Sequence, residues 1–465
     1  MTAVPQGTDT QASNTAFAVE QNGINLVTDV ERNGKPKDLA WIWADANIML
    51  TYVIVGSILF ALGLTLQQML IVTLLGNLLF VFVGYGGVPG ARVGTATMVI
   101  SRAMFGRRGN VVPSLLSWLT VVGWEAVNVV IGAFALFSLF GLFGISLGLA
   151  GKVAVLALLL VLTFGVAILG HATISVLQRA FTWVLGALML GVIPQIWGAP
   201  LPATYVAPTG ADWPTLFVAF TIVAALPVSY SNYPAEYARY LPKNADGSAI
   251  TWWTTLGAFV PAIIITLIGY MAARLGDLSD PVGGFQPLLA GWYYGLFLIA
   301  VIGGSITNNF LNTYSSGMSL LAMDVKVSRP VAIVIDAIIA TAMSAYAIFY
   351  QDFTLTFIAF LSLMVAWIAP WWAVYLVDSW LRKERYNGPD LLSAEGGMYK
   401  GWNVSGYIAW ICGAIAAIAC TSADAFKSSF STNYLGGADL SIIAGMAVAS
   451  ILYWVLARSS IKSIA

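Results

Sequence analysis

The sequence predicts an all-α integral membrane protein with twelve transmembrane helices. Its composition, the length of its uncharged runs and the placement of its positive charge all point that way. Of 465 residues, 59% are hydrophobic and only 9% charged, and the mean hydropathy is +0.83. A soluble protein keeps its surface wet with about 25% charged residues, so lipid must be the main solvent of this chain. Soluble enzymes and DNA-binding proteins are excluded by the same arithmetic. Lys+Arg and Asp+Glu balance at 21 each, which leaves no bulk field to attract nucleic acid.

The spans follow from length. A bilayer core about 30 Å thick takes about 20 apolar residues of helix. Residues 46–91 carry no charge and would form roughly 69 Å of helix, more than two crossings, so a turn is expected near Thr65–Gln68. Pro281–Met323 is likewise uncharged and reads as one long tilted helix, or a helix with a re-entrant lead-in. In order, spans are expected near 39–64, 67–90, 112–143, 147–169, 171–196, 213–235, 249–273, 288–323, 329–350, 354–380, 403–423 and 440–457. Ahead of them, residues 1–37 are polar and read as a disordered cytoplasmic tail. They lack the short apolar stretch of a cleaved signal peptide, so the first hydrophobic run is expected to be retained. Cys412 and Cys420 would sit roughly 12 Å apart on one helix, too far to bridge. With His171 the sole histidine, no metal-ligand set is available.

Orientation comes from the basic residues. With the N-terminus in the cytoplasm, internal loops hold Arg102, Arg107, Arg108, Arg239, Lys243, Lys326, Arg329, Arg382, Lys383 and Arg385, and the tails add Arg32, Lys35, Lys37, Arg458 and Lys462. External loops keep only Lys152, Arg274 and Lys427. An even number of spans with both ends inside satisfies this asymmetry.

Polar groups at mid-membrane are costly and mark sites or pathways. Span one carries WADAN (43–47), with Asp45 and Asn47. Span three carries GWEAVN (123–128), with Trp124, Glu125 and Asn128. Span eight carries SITNNFLNTYSSG (305–317), with Thr307, Asn308, Asn309 and Asn312. In span six, Pro227 and Pro234 of LPVSYSNYPAEYARYLP (226–242) must interrupt helical hydrogen bonding. Each has a plainer reading. Asp45 could start a helix at the interface, Glu125 could pair with a buried donor, and the asparagines could be interhelical glue worth about 0.6 kcal/mol apiece. Asp336 in span nine and Arg179 in span five read as structural, and His171 as a helix start. Clustering favours function. Trp124 and Asn128 are spaced i,i+4, and Asn309 and Asn312 i,i+3. An aromatic face beside amides suits a flat heterocycle, whose ring stacks while its edge is hydrogen-bonded. A broken span six also frees backbone groups that only a cavity satisfies.

W-x-D-x-N (43–47), VGWEAVN (122–128), YSNYPAEYARYLP (230–242) and NNFLNTYSSGMSL (308–320), with SRAMFGRRGN (101–110) after span two, resemble the nucleobase:cation symporter-1 family in its purine–cytosine permease branch. The resemblance runs from about Trp41 to Leu321. It implies a LeuT-type fold, a 5+5 inverted repeat of spans 1–5 (38–197) and 6–10 (212–380), followed by a loop and two C-terminal helices (381–465). The broken spans would be the first and sixth. By the same resemblance Trp124 is the stacking residue, Asn128 an edge reader, and Asn312, with Asn309, a ligand contact from span eight. Tyr230 falls where the family usually has a tryptophan wall. Matching sodium positions are the Trp41 and Ala44 carbonyls with Gly303, Ile306 and Thr307. Ile306 stands where a serine hydroxyl is expected, so one ligand oxygen is missing. Proton coupling through Asp45, Glu125 or Glu236 is then the rival. Asp45 and Glu125 both depart from the branch, and two acceptor carboxylates near one site favour a ligand rich in N–H donors.

The expected function is import of a nucleobase or related nitrogen-rich heterocycle, cytosine- or purine-like, by alternating access driven by Na+ or H+. The protein is expected to act as a monomer in the cell membrane. An organic cation, such as a guanidino or amine compound or a vitamin precursor, is the rival substrate. A non-transporting membrane receptor is the reading from another class. No enzyme is expected, because no metal constellation or nucleophile–base pair is visible.

Overall fold

A computed structural model describes residues 16–17, 19–20, 22–349, 353–423 and 426–462, in residues 353–359, 362 and 462 by backbone alone. The first span is two helices, α1 (Asp38–Asn47) and α2 (Leu50–Ala61), bent by 54° at Ile48–Met49. The second is α3 (Leu66–Asn77) and α4 (Phe80–Val93). The expected turn is there: the Thr65 hydroxyl accepts from the Gln68 amide at 3.2 Å while the Gln68 side chain accepts from Thr65 N at 3.1 Å. This reciprocal cap satisfies two backbone donors that α3 would otherwise leave bare. Then come α5 (Val111–Leu142), α6 (Leu149–Leu169), α7 (His171–Leu190) and α8 (Trp213–Ser229). After α8 the chain passes through a single turn, Tyr230–Asn232, into α9 (Pro234–Ala238).

Span six is therefore broken, as span one is. Pro227 is accommodated inside α8, and Pro234 opens α9, where a missing N–H costs nothing. The remaining long helices are α10 (Gly247–Ala273), α11 (Gly291–Ala322), α12 (Arg329–Phe349), α13 (Phe353–Leu381), α14 (Val404–Ala419) and α15 (Ser441–Lys462). Pro281–Met323 resolves into one single-turn lead-in at Gly283–Phe285 and one long helix, α11. Among the described residues nine helices are long and apolar enough to cross a membrane, and the bent first pair makes ten. α13 and α14 occupy the places expected for spans ten and eleven. At 16 residues, α14 is shorter than an ordinary crossing.

Two packings position the site. α5 and α11, each of 32 residues, run side by side. α2 crosses α10 at Gly56 and Gly269, where a Cβ on either glycine would strike the backbone of the other helix. Small residues let helices approach this closely in lipid.

The basic loops converge on one face. Arg102 and Arg107 both pair with Asp324, at 2.9 and 2.8 Å, and donate to the Leu391 and Leu392 carbonyls. The loops after α4, α11 and α13 are thereby tied together.

One expectation needs correction. Residues 1–15 of the polar tail lie outside the described residues, but Asn22–Lys37 packs against the helices. Arg32 is buried and donates to the carbonyls of Val27, Ala91 and Val93. Glu20 is buried against Arg239 at 3.1 Å. A composition too polar to form its own core is held here by partners from distant loops.

Candidate functional site

The two broken spans meet where their helical hydrogen bonding lapses. Tyr230 donates to the carbonyl of Ala46 at 2.9 Å, and Asn308 Nδ2 donates to the same carbonyl at 2.7 Å. The orphan carbonyl beside the bend in span one is thus satisfied by side chains from spans six and eight. Asn308 Nδ2 also reaches the Tyr230 hydroxyl at 3.0 Å.

Around this junction four amides interlock. Asn128 Nδ2 lies 2.8 Å from Asn308 Oδ1, 3.0 Å from Asn309 Oδ1 and 3.1 Å from the Trp124 carbonyl. Asn312 Nδ2 approaches Asn308 Oδ1 and Asn309 Oδ1 at 3.1 and 3.0 Å. Asn309 Nδ2 donates to the Glu125 carbonyl at 3.0 Å, and the Tyr233 hydroxyl to Asn312 Oδ1 at 3.2 Å. Asn128 thus has two hydrogens facing three acceptors. The amides saturate one another imperfectly, and a flat ring with alternating donors and acceptors could take over these bonds.

Aromatic groups wall the cluster. Trp43 stacks on Tyr233 with centroids 6.5 Å apart and meets Tyr230 edge-on at 5.4 Å. Trp124 meets Phe360 edge-on at 5.6 Å. Asn128, Asn309 and Asn312 are at most 1% exposed, and Tyr230 3%, so the cluster is sealed. A cavity of about 300 Å³ lies beside it on the face of the basic loops, lined by Asp38, Trp41, Arg179, Tyr237 and Tyr240. Tyr237 separates the two, with its ring 6.2 Å from Trp43 and its hydroxyl on the Leu311 carbonyl at 2.9 Å.

Of the predicted residues, Trp124, Asn128, Tyr230, Asn309 and Asn312 are brought to this junction. Others are not. Asn47 caps the bend, donating to the Trp43 carbonyl at 2.7 Å and accepting from Tyr52. Glu236 is held by Thr97 of the loop after span two. Glu125 turns its carboxyl to Ser316, one helical turn beyond Asn312. The pairing of two carboxylates over one ligand is therefore corrected: adjacent positions on a helix point about 100° apart, so Glu125 leaves the face that Trp124 and Asn128 share at a spacing of four residues. Asp336, read as structural for want of polar neighbours, accepts from Ser316 at 2.8 Å and from Trp118. Arg179 pairs with Asp38 at 2.8 Å.

Asp45 is different. It is fully buried, and the Thr307 hydroxyl is the one polar group facing its carboxylate, whose oxygens have no partner in good hydrogen-bond geometry. The other expected cation positions have partners of their own. The Ala44 carbonyl accepts from Ile48 N at 3.1 Å, the Trp41 carbonyl from Thr182 at 3.0 Å, and Thr307 leans on the Gly304 carbonyl at 3.4 Å. Gly303 packs under Leu185, while Ile306 offers only hydrocarbon. Ile306 instead packs toward Leu136, Val155 and Leu159, and Thr307 is the expected cation position that faces Asp45. Sequence reasoning missed Trp43, Tyr233 and Phe360. For the first two the signal was present in W-x-D-x-N and YSNYP, but only the fold tells which of many aromatics face one another.

The chain has clear relatives. The family model for permeases for cytosine/purines, uracil, thiamine and allantoin matches residues 26–445. Over 456 residues the chain is 28% identical to the Bacillus subtilis protein YxlA, covering 96% of this chain and 97% of that one. It is 26% identical over 329 residues to the cytosine permease of Escherichia coli K12, covering 70% and 73%. It is 25% identical over 331 residues to the vitamin B6 transporter TPN1 of Saccharomyces cerevisiae, covering 66% of this chain and 55% of TPN1. Among solved structures, Mhp1, a nucleobase-cation-symport-1 family transporter, closed with bromovinylhydantoin bound, is similar at TM-score 0.75 with 18% identity, covering 96% of this chain and 97% of that one. Inward-facing Mhp1 is similar at 0.71 with 16% identity, covering 96% and 95%. These likenesses establish the LeuT-type fold. With broken first and sixth spans and a family match over most of its length, the chain belongs to the family of membrane permeases for cytosine/purines, uracil, thiamine and allantoin.

Proposed function

We propose that the protein is a cation-coupled importer of a nucleobase or closely related nitrogen-rich heterocycle, working by alternating access in the cell membrane with both termini cytoplasmic. The proposed repeats are 38–197 and 212–380, with 381–465 added after them. One observation carries the reading: Asn128, Asn308, Asn309 and Asn312 form a buried amide cluster against the broken halves of spans one and six. Trp124 stacks the ring, Asn128 and Asn312 read its edge, and Tyr230 with Tyr233 closes the far side. Asp45, with the Ala44 carbonyl and Thr307, holds the coupling cation. This arrangement accepts a proton on Asp45 or a sodium ion with Asp45 among its ligands.

Counterflow of labelled cytosine in proteoliposomes tests the reading, since only a transporter exchanges ligand across the bilayer. Exchange is expected. Saturable binding without exchange would make the protein a receptor. Asp45 supports a second substrate reading, because a buried carboxylate faced only by the Thr307 hydroxyl also suits an organic cation. Competition by guanidino and amine compounds, stronger than by cytosine, would favour it.

A further inference from the structure

Spans three, eight and nine bring together two carboxyls that the substrate and cation sites leave unused. Ser316 Oγ lies 2.8 Å from Glu125 Oε1, 2.8 Å from Asp336 Oδ2 and 3.1 Å from the Thr313 carbonyl. Trp118 Nε1 donates to Asp336 Oδ1 at 2.5 Å. Glu125 and Asp336 are both 0% exposed. A serine hydroxyl owns one hydrogen, and three acceptors cannot share it. With both carboxyls ionised, at least one of the 2.8 Å contacts would set two lone pairs face to face. The remaining bonds tell which carboxyl carries the missing proton. Asp336 is served at both oxygens, by an indole N–H and by the hydroxyl. Glu125 Oε2 is faced only by the Thr313 hydroxyl, outside hydrogen-bond geometry, a condition costly for an ionised carboxylate inside a helix bundle. The chain of donation therefore runs from Glu125 O–H to Ser316 Oγ, and from Ser316 O–H to Asp336.

We propose that Glu125 and Asp336, bridged by Ser316, form a proton-binding pair whose occupancy is coupled to the amide cluster. The link is direct, because the Glu125 carbonyl accepts from Asn309 Nδ2 at 3.0 Å. In the transfer, Glu125 gives its proton to Ser316 Oγ and the Ser316 hydrogen passes to Asp336 Oδ2. Two O–H bonds break, two form, and the negative charge moves from Asp336 to Glu125. Other charges in the packed spans are engaged elsewhere. Glu236 is held by Thr97, Arg239 by Glu20, and Arg329 by the Ala167 and Ile168 carbonyls and Glu20. Lys152 of α6 lies over Phe137. Among the described residues, the titratable groups facing the pair are its own two carboxyls.

The coupling rests on the transport reading, but the proton-holding pair does not, and the experiment separates them. Infrared spectra of the purified full chain at neutral pH, in light and heavy water, should contain the carbonyl stretch of a buried protonated carboxylic acid. Glu125→Gln should remove one component of that band, and Asp336→Asn should shift the same component. Spectra unchanged by both variants would overturn the pair. Should Glu125→Gln unfold on a thermal-melt control, Asp336→Asn and Ser316→Ala decide by the same shift. In proteoliposomes with labelled cytosine, Glu125→Gln should keep counterflow and lose accumulation driven by a pH gradient. Undiminished accumulation would overturn the coupling. An absence of counterflow by the parent protein would sink the transport reading and leave the infrared result to decide the pair.

Discussion

Trp124 and Asp45 hold opposite positions in the site, one supplying contact area and the other charge. Trp124 is 4% exposed and shares an edge contact with Phe360. Trp124→Ala should weaken cytosine binding by about 1–3 kcal/mol, the worth of one base–aromatic stack, and Trp124→Phe should restore part of it. Titration calorimetry on well-folded variants checks this, and unchanged affinity in Trp124→Ala would move the site elsewhere. Asp45→Asn keeps the shape while exchanging an acceptor oxygen for a donor. Where Asp45 meets the ligand itself, as in the organic-cation reading, an aminated or cationic ligand loses about 1.5–3 kcal/mol of binding, the range for hydrogen bonds to charged groups. A carbonyl-rich analogue should lose less, or gain. Equal losses for both ligands would assign Asp45 to cation coupling alone.

Elements bring their own constraints. The crossing of α2 and α10 depends on Gly56 and Gly269, whose missing Cβ atoms admit the partner backbone. Gly269→Leu should destabilise the fold by at least about 1–3 kcal/mol, the usual cost of overpacking, seen as a lower melting temperature in detergent. The N-terminal segment is held by charge instead. Burial would raise the Glu20 carboxyl, but the Arg329 and Arg239 guanidiniums, the Tyr240 hydroxyl and the His171 amide hold it below its ordinary 4.5. A carboxyl lowered on folding contributes stability in full above its unfolded value, and that contribution drains as pH falls from about 4.5 through the folded value. Glu20→Gln should remove about 3–5 kcal/mol, as when one partner of a buried ion pair is deleted. The segment 22–37 should then exchange amide hydrogens faster at neutral pH, whereas the parent releases it only in acid. Equal protection in both proteins would mean that Arg32 and the backbone bonds of Val27 and Gly34 hold the segment without Glu20.

At the scale of the whole molecule, the amide cluster is closed on both sides. The cavity of about 300 Å³ lies on the basic-loop face, and another of about 360 Å³ lies beside Phe60 and Asp277. Alternating access needs one seal to open at a time, and on the first side Tyr237 both lines the cavity and touches Trp43. Linkage fixes how the cation enters: an ion that improves substrate binding must itself be bound better with substrate present. Without a hydroxyl at Ile306, sodium should raise cytosine affinity weakly or not at all. A large gain on adding sodium would instead place the ion on Asp45.

Much of this protein was legible in the order of its residues. Uncharged runs long enough to cross a bilayer, prolines at 227 and 234, and amides inside spans three and eight specified the spans, the broken sixth helix and the four asparagines of the cluster, while Tyr230 came from the family resemblance. These features depend on the cost of polar groups in lipid, which acts along the chain and can be read there. Tertiary structure alone decided which carboxyl faces what. Glu125 adjoins Trp124 in sequence yet serves Ser316, and Asp336, isolated in its own span, acquires partners from spans three and eight. Glu20, in a segment that composition marks as disordered, is buried by two arginines more than two hundred residues away. Such contacts depend on helix rotation and on the meeting of distant loops, which no local pattern encodes.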